Sequence, residues 1–478
     1  MQTMNKKPAK KAWAGAISQP ATEFPLTPLP ILSGKIPAGL RGTLYRNGPA
    51  RLKRGNTQMG HWFDGDGAIL AVNFHDAGAT GIYRYVQTAG YQQETTAGKL
   101  LYGNYGTTAP GLIWQKWQKL TKNTANTSVL ALPDKLLALW EGGHPHSLDL
   151  ETLETQGLDN LGGLKTGWFY SAHPKIDAQT KEIFNFGLSL GLNATLNIYK
   201  SDWTGRIIQK SQFQLAGIPL IHDFVLAGKY LVFFIPAVRL DILPIIMGTS
   251  SYSDSLKWQP DLGTQILVID RENLSLVSRQ ETEAWFQWHF ANAYVDDHGA
   301  VIVDFTRYAD FQTNQYLKEV ATGETHNIAK NTLTRLVLQP QTGKVKTIET
   351  LLDRTGEFPN VPPQNVGQIS RYTYMCLFRE GTDISQELLN TIARFDHQSQ
   401  TLTEANLGEN RYPCESLTVQ DALNHQQSWV LTVVYDGNCH SSEVWIFDSD
   451  RLDAEPVCQL ALPSVVPHSF HGMWKARA

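Results

Sequence analysis

Seven times along this chain a run of β-branched and aromatic residues ends in a polar turn: LAVNFHDAG, HSLDLETLE, LNIYKSDWTG, ILVIDRENL, RLVLQPQTG, IARFDHQSQ and VWIFDSDRL. The turns fall near positions 73, 149, 200, 270, 340, 396 and 448, at intervals of about 50 to about 75 residues. Short strands repeated at a roughly even interval, with no helix between them, bury their faces by packing radially against one another. The pattern predicts an all-β chain folded as a seven-bladed β-propeller. With 478 residues the blades average nearly 70 each, longer than such units need. Large loops must therefore be inserted on one face. Two tandem β-sandwiches would also give short strands, although no Pro-, Gly- or Ser-rich linker divides the chain.

Helical periodicity is scarce. The clearest case is GLIWQKWQKL (111–120), where Leu112, Ile113, Trp117 and Leu120 share one face. A single domain is expected over residues 21–478, behind a basic tail over 1–20 that carries four lysines and is expected to be disordered. That tail lacks the apolar core of a secretory signal. The four cysteines are far apart and form no CxxC pair, which fits a reducing compartment, so a cytoplasmic location is expected. A formal charge of −4 offers no basic field for nucleic acid. The longest apolar stretch, 230–248, is broken by Arg239 and Asp241, so no membrane span is expected.

Among fourteen histidines, one sits in the most aromatic decapeptide of the chain, His289 in WFQWHFANAY (285–294). His173 in WFYSAHPKID, His222 in IPLIHDFVL and His471 in PHSFHGMW share that apolar setting. From His173 to His222 to His289 is about one blade per step, so in a propeller these imidazoles can converge on the axis. His75, His144, His146, His326, His397, His425 and His440 lie in polar loops, and His61 and His468 beside turns. Spacing alone leaves both readings open, metal ligand and ordinary core histidine.

The segments RNGPA (46–50), HWFDGDGAIL (61–70), NTANTSVL (123–130), LLALWEGG (136–143), SAHPKID (171–177), IHDFVL (221–226), WHFANAY (288–294), EFPNVPPQNVG (357–367) and FHGMW (470–474) follow one another in an order that resembles the carotenoid cleavage oxygenase family. The resemblance runs from about residue 35 to the C-terminus and is greatest to its cyanobacterial apocarotenoid 15,15'-oxygenase branch. It implies a seven-bladed propeller capped by a dome of loops and helices over an axial metal site. It also implies one Fe(II) per chain on His173, His222, His289 and His471, the four histidines with catalytic importance, with O2 as co-substrate.

Four neutral imidazoles suit Fe(II) and leave two octahedral positions open. Matching the family's pattern, Glu141, Glu357 and Glu415 would hold the far nitrogens of the ligands. At the last of these the chain departs from the family's Gly-Glu-Pro and reads Cys414-Glu415-Ser416-Leu417. Phe63, Thr127, Trp140, Tyr308 and Phe358 match the family's substrate-tunnel positions. The implied reaction is oxidative cleavage of a C=C bond in a linear apocarotenoid at the 15,15' position, giving retinal or a related apocarotenal. Stilbene cleavage, retinoid ester isomerisation and a non-catalytic propeller that binds carotenoid or a protein partner are the alternatives. An apolar substrate partitions into bilayers, and Leu112–Leu120 together with Ile242–Met247 would form a peripheral membrane-binding patch at the tunnel mouth.

Overall fold

The structure, a computed structural model, describes residues 11–76, 78–116, 119 and 121–477. Alternating and β-branched runs form seven antiparallel sheets of four to six strands. Arranged around one axis, they are the seven blades of a propeller. The innermost strands, in chain order, are Ser128–Ala131, Lys175–Ile176, Val225–Ala227, Phe290–Val295, Gly356–Asn360, Leu417–Gln420 with Arg411–Pro413, and finally Gly472–Ala476.

Both ends of the chain close the ring. The last strand, Gly472–Ala476, pairs with Gly42–Arg51, so the C-terminus supplies the innermost strand of the first blade. The early strand Ile31–Gly34 pairs with Cys458–Ala461 and so extends the last blade at its outer edge. Ring closure therefore depends on two pairings of residues more than 400 positions apart, one for each terminus.

Counted outward from the axis, every one of the seven predicted turns joins the third strand of a blade to the fourth. The reason is local chemistry. Asp149, Asp270 and Asp396 each accept backbone N–H bonds from the residues two and three positions on, which folds the chain back. Four residues after each aspartate the backbone turns left-handed, at Leu153 (φ 56°), Leu274 (φ 55°) and Gln400 (φ 55°).

Residues 11–20 correct one expectation. Rather than belonging to a disordered tail, Ala12–Ile17 form a 3-10 helix with Trp13 fully buried, while residues 1–10 lie outside the described ones. The Trp13 ring packs beside Tyr412 and Phe470, and its carbonyl accepts from His468 Nε2 at 2.9 Å. An indole surrounded by apolar side chains outweighs the basic composition of its neighbours.

Long insertions build the dome: helix Ala89–Ala97 between the first two blades, and, between the second and third strands of a blade, the two-stranded sheet Val238–Leu240 with Leu256–Trp258 and helix Thr313–Val320. One root of the dome is fixed by four buried charges. Lys122 Nζ reaches Asp66 at 2.6 Å and Glu94 at 2.7 Å, and Arg54 reaches Asp66 at 2.6 Å. Two cations against two carboxylates leave no net buried charge.

Candidate metal centre

Each innermost strand starts on the axis, and the residues that begin or immediately precede these strands gather there. His173, His222, His289 and His471 come from four different blades, and their ligand nitrogens all lie within 4.8 Å of one another. His173 Nε2 is 3.0 Å from His222 Nε2, which is 3.1 Å from His289 Nε2. Metal–nitrogen bonds of about 2.1 Å at right angles set neighbouring nitrogens about 3.0 Å apart.

The far side of three rings is held by carboxylates. Glu357 Oε2 accepts from His289 Nδ1 at 2.6 Å, Glu415 Oε1 from His471 Nδ1 at 3.0 Å, and Glu141 Oε1 abuts His222 Nδ1. A neutral imidazole whose Nδ1–H faces a carboxylate turns a bare lone pair outward on Nε2. Two such lone pairs face each other across 3.1 Å between His222 and His289, which is repulsive unless a cation lies among them. A metal ion fits the donor set; so does a proton. Burial pushes His289 down, but the Glu357 carboxylate outweighs it and raises the imidazole above its usual range. His173 is held well below the usual range, first by burial and then by the other three rings.

Glu357 is itself fully engaged. Its Oε2 also accepts from Phe358 N at 3.0 Å, and its Oε1 from Thr306 Oγ1 at 3.1 Å and Tyr308 OH at 2.6 Å. Burial raises this carboxyl, yet the charge and hydrogen bond of His289, with the bonds from Tyr308 and Phe358 N, hold it below the usual carboxylate range. Phe358 takes a left-handed backbone (φ 55°), which lets Glu357 point to the axis while its own ring stacks on His289 with centroids 5.4 Å apart. Backbone strain of this kind persists where the surroundings over-determine it.

Glu415 reaches the centre despite its unusual sequence neighbours. Its Oε2 accepts from Gly472 N at 2.9 Å, and the buried Arg46 guanidinium lies 3.4 Å away while donating to the Glu415 and Phe470 carbonyls. Beside Ser416, the Glu415 carbonyl is pinned by Arg46 Nη1 at 2.7 Å.

A cavity of about 290 Å³ rises from the histidines into the dome. That is near the low end of small-molecule sites and suits a slender ligand. Phe63, Thr127, Trp140, Tyr308 and Phe358 all line it. Tyr308 does more than line it, because its hydroxyl is committed to Glu357. The sequence reading passed over Trp288, whose ring meets His222 edge-on with centroids 5.0 Å apart and whose Nε1 donates to Thr313. It also passed over Arg46 and Thr306. Trp288 was within reach, being next to His289 in the aromatic run. Arg46 and Thr306 stand in ordinary strands, and only their register brings them to the site.

The helix expected over 111–120 is a single turn, Ile113–Lys116, and Trp117 and Leu120 lie outside the described residues. Lys116 Nζ donates to the Gly248 carbonyl at 2.8 Å, which ties this segment to helix Ile242–Ile246. Among the described residues no helix is long and apolar enough to cross a membrane.

Comparisons with known proteins agree with this architecture. The family profile described as retinal pigment epithelial membrane protein matches residues 17–476. The apocarotenoid-15,15'-oxygenase of Synechocystis sp. is 32% identical over 93% of this chain and 92% of its own length. The resveratrol cleavage oxygenase 1 of Aspergillus fumigatus is 26% identical over 92% of this chain and 91% of its own. A solved structure of cobalt-substituted Synechocystis apocarotenoid oxygenase superposes with a TM-score of 0.87 at 31% identity, covering 98% of both chains. With its seven blades, its axial histidines and a match over nearly its whole length, this chain belongs to the retinal pigment epithelial membrane protein family, the carotenoid cleavage oxygenases.

Proposed function

We propose that the protein is a non-haem Fe(II) oxygenase that cleaves one C=C bond of a linear apocarotenoid, at the 15,15' position, to give retinal or a related apocarotenal. The observation that carries the reading is the set of four axial histidines, three of them backed by glutamates. Fe(II) held on His173, His222, His289 and His471 supplies the redox chemistry that lets dioxygen react with a closed-shell alkene. One C=C bond and one O2 become two carbonyl groups, so the atoms balance with no added reductant.

The chain's own residues do the rest. Glu141, Glu357 and Glu415 keep His222, His289 and His471 in one tautomer with Nε2 toward the axis. The π-faces of Phe63, Trp140, Trp288 and Phe358 exclude water from the cavity, hold a conjugated chain flat, and favour positive charge developing along it. Thr127, whose carbonyl accepts from His471 N at 3.3 Å, lines the cavity at its base and limits how a ligand approaches the histidines.

Peripheral attachment to a membrane belongs to the same proposal. Leu112, Trp114, Leu243 and Met247 are each more than half exposed, and the Lys116 bond to Gly248 joins their two segments. Apolar groups gathered at that density on a dome suit contact with a bilayer that stores the substrate.

The test is anaerobic loading with Fe(II), then addition of oxygen and an 8'-apocarotenal, with products identified by mass. A retinal-sized aldehyde supports the reading. An intact polyene, with cleavage of a hydroxystilbene instead, would move the substrate class to stilbenes, and neither would refute the enzyme.

A further inference from the structure

The four histidines separate two cavities. The dome cavity touches His222, His289 and His471, whereas a second cavity touches His173, His289 and His471. The second is the central channel of the propeller, because the innermost strand of every blade lines it: Val129, Ile176, Val225, Ala291, Asn360, Leu417 and Met473 each come from a different one. Among the described residues, the charged side chains on its wall besides the histidines are Lys175, Asp223 and Glu415. Glu415 is already engaged by His471 and Gly472.

Lys175 and Asp223 form a bridge between two blades just beyond the histidines. Lys175 is two residues after His173, and Asp223 directly follows His222. Lys175 Nζ lies 2.7 Å from Asp223 Oδ1, and Asp223 accepts from Phe224 N at 2.8 Å and Phe290 N at 3.1 Å. The carboxylate is thus fixed by backbone on two sides, while the lysine hangs on a flexible stem and is 18% exposed. One partner is anchored by backbone, whereas the other is held only by the ion pair and by the face of Phe224, 5.8 Å away.

A hydrated divalent cation approaching through the dome meets mostly aromatic rings, which solvate charge poorly, and the carboxylates there, Glu141 and Glu357, already face His222 and His289. Along the channel it meets a fixed carboxylate oxygen, a hard ligand able to exchange for water one step before the imidazoles. We propose that the metal enters and leaves by the central channel, opposite the substrate cavity, and that Lys175 gates a transient cation site at the Asp223 carboxylate. This rests on the reading of the four histidines as a metal centre. It separates the two traffics: the apolar substrate uses the dome and the ion uses the axis.

The test opens one side at a time. Protein loaded with Co(II) is mixed with excess EDTA, and release is followed by the visible absorption of cobalt; uptake is measured in the reverse direction. Lys175→Met is expected to speed both uptake and release about tenfold with the equilibrium affinity within about twofold of wild type, as for a lowered barrier. Lys175→Arg should restore slow exchange, and Lys175→Met with Asp223→Asn should exchange more slowly than Lys175→Met alone, because the relay oxygen is weakened. Phe63→Ala, which widens the dome cavity, should leave both rates within about twofold.

Faster exchange in Phe63→Ala with no change in Lys175→Met would overturn the axial route while leaving the metal centre standing. A release rate in Lys175→Met explained entirely by weaker equilibrium binding would overturn the gate. A double variant as fast as Lys175→Met would overturn the relay role of Asp223. Failure of the wild type to bind cobalt would refute the metal centre itself.

Discussion

Replacing Glu357 by Gln alters one terminal group and removes one charge, and the surrounding donors dictate the result. The carboxylate now accepts four hydrogen bonds, from His289 Nδ1 and Phe358 N on one oxygen and from Thr306 and Tyr308 on the other. Gln has a single acceptor oxygen, which must face His289 and Phe358, since neither of those N–H groups can reverse. Its amide nitrogen then faces two hydroxyls, and both can rotate to accept. Fold stability should consequently fall by only about 1 kcal/mol.

Metal binding loses more, because the charge that raises the basicity of His289 is gone. Removing such a partner weakens metal binding about 10- to 100-fold, or ~1.4 to 2.7 kcal/mol. The assay is competition for Co(II) against a chelator of known affinity, beside urea unfolding of the metal-free protein. Metal affinity within twofold of wild type would refute the argument. So would a stability loss larger than the binding loss, which would make Glu357 a structural residue.

Three further outcomes follow from the geometry. A Cβ on Gly472 would meet the Arg46 Cδ and the Tyr45 carbonyl oxygen, each at 2.6 Å. Gly472→Ala should therefore cost about 1–3 kcal/mol in thermal or urea unfolding and loosen the strand that follows His471. Burial lowers His61 to about 3 and His146 and His468 to about 4. Each of these histidines has a folded pKa below its unfolded value, so the unfolded chain binds more protons between the two. The stability that they contribute is complete above about pH 6.5 and is lost as the pH falls toward 4, which urea unfolding at several pH values will show. Asp64, raised by burial to about 6, works in the opposite direction, and its contribution is lost as the pH rises from about 4 through 6. Finally, Trp114→Glu with Leu243→Glu should abolish flotation with liposomes, and equal flotation of variant and wild type would count against attachment.

The ring was legible because each blade carries a strong local signal. A polar turn follows every third strand, and at Asp149, Asp270 and Asp396 the aspartate folds it by itself, so the seven turns are placed without knowing which strands pair. The axial histidines were singled out by their apolar neighbours, but their convergence is a property of ring closure and not of spacing. His471 reaches the axis only because Gly472–Ala476 pairs with the second strand of the first blade. Glu415 illustrates the limit: its neighbours Cys414 and Ser416 depart from the family pattern, yet Arg46, 369 positions away, holds its carbonyl in place. Residues 11–20, expected to belong to the basic tail, are ordered for the converse reason. Four lysines suggested disorder, and one tryptophan, finding a slot beside Tyr412 and Phe470, ordered residues 12–17.

The central claim is that four imidazoles and no carboxylate hold one ion on the propeller axis. X-ray absorption on protein loaded with Fe(II) under anaerobic conditions, paired with metal analysis, tests it most directly. One iron per chain is expected, with four imidazole nitrogens at about 2.1 Å and the remaining ligands light oxygen donors. Fewer imidazoles, or a glutamate bound directly to the iron, would contradict it.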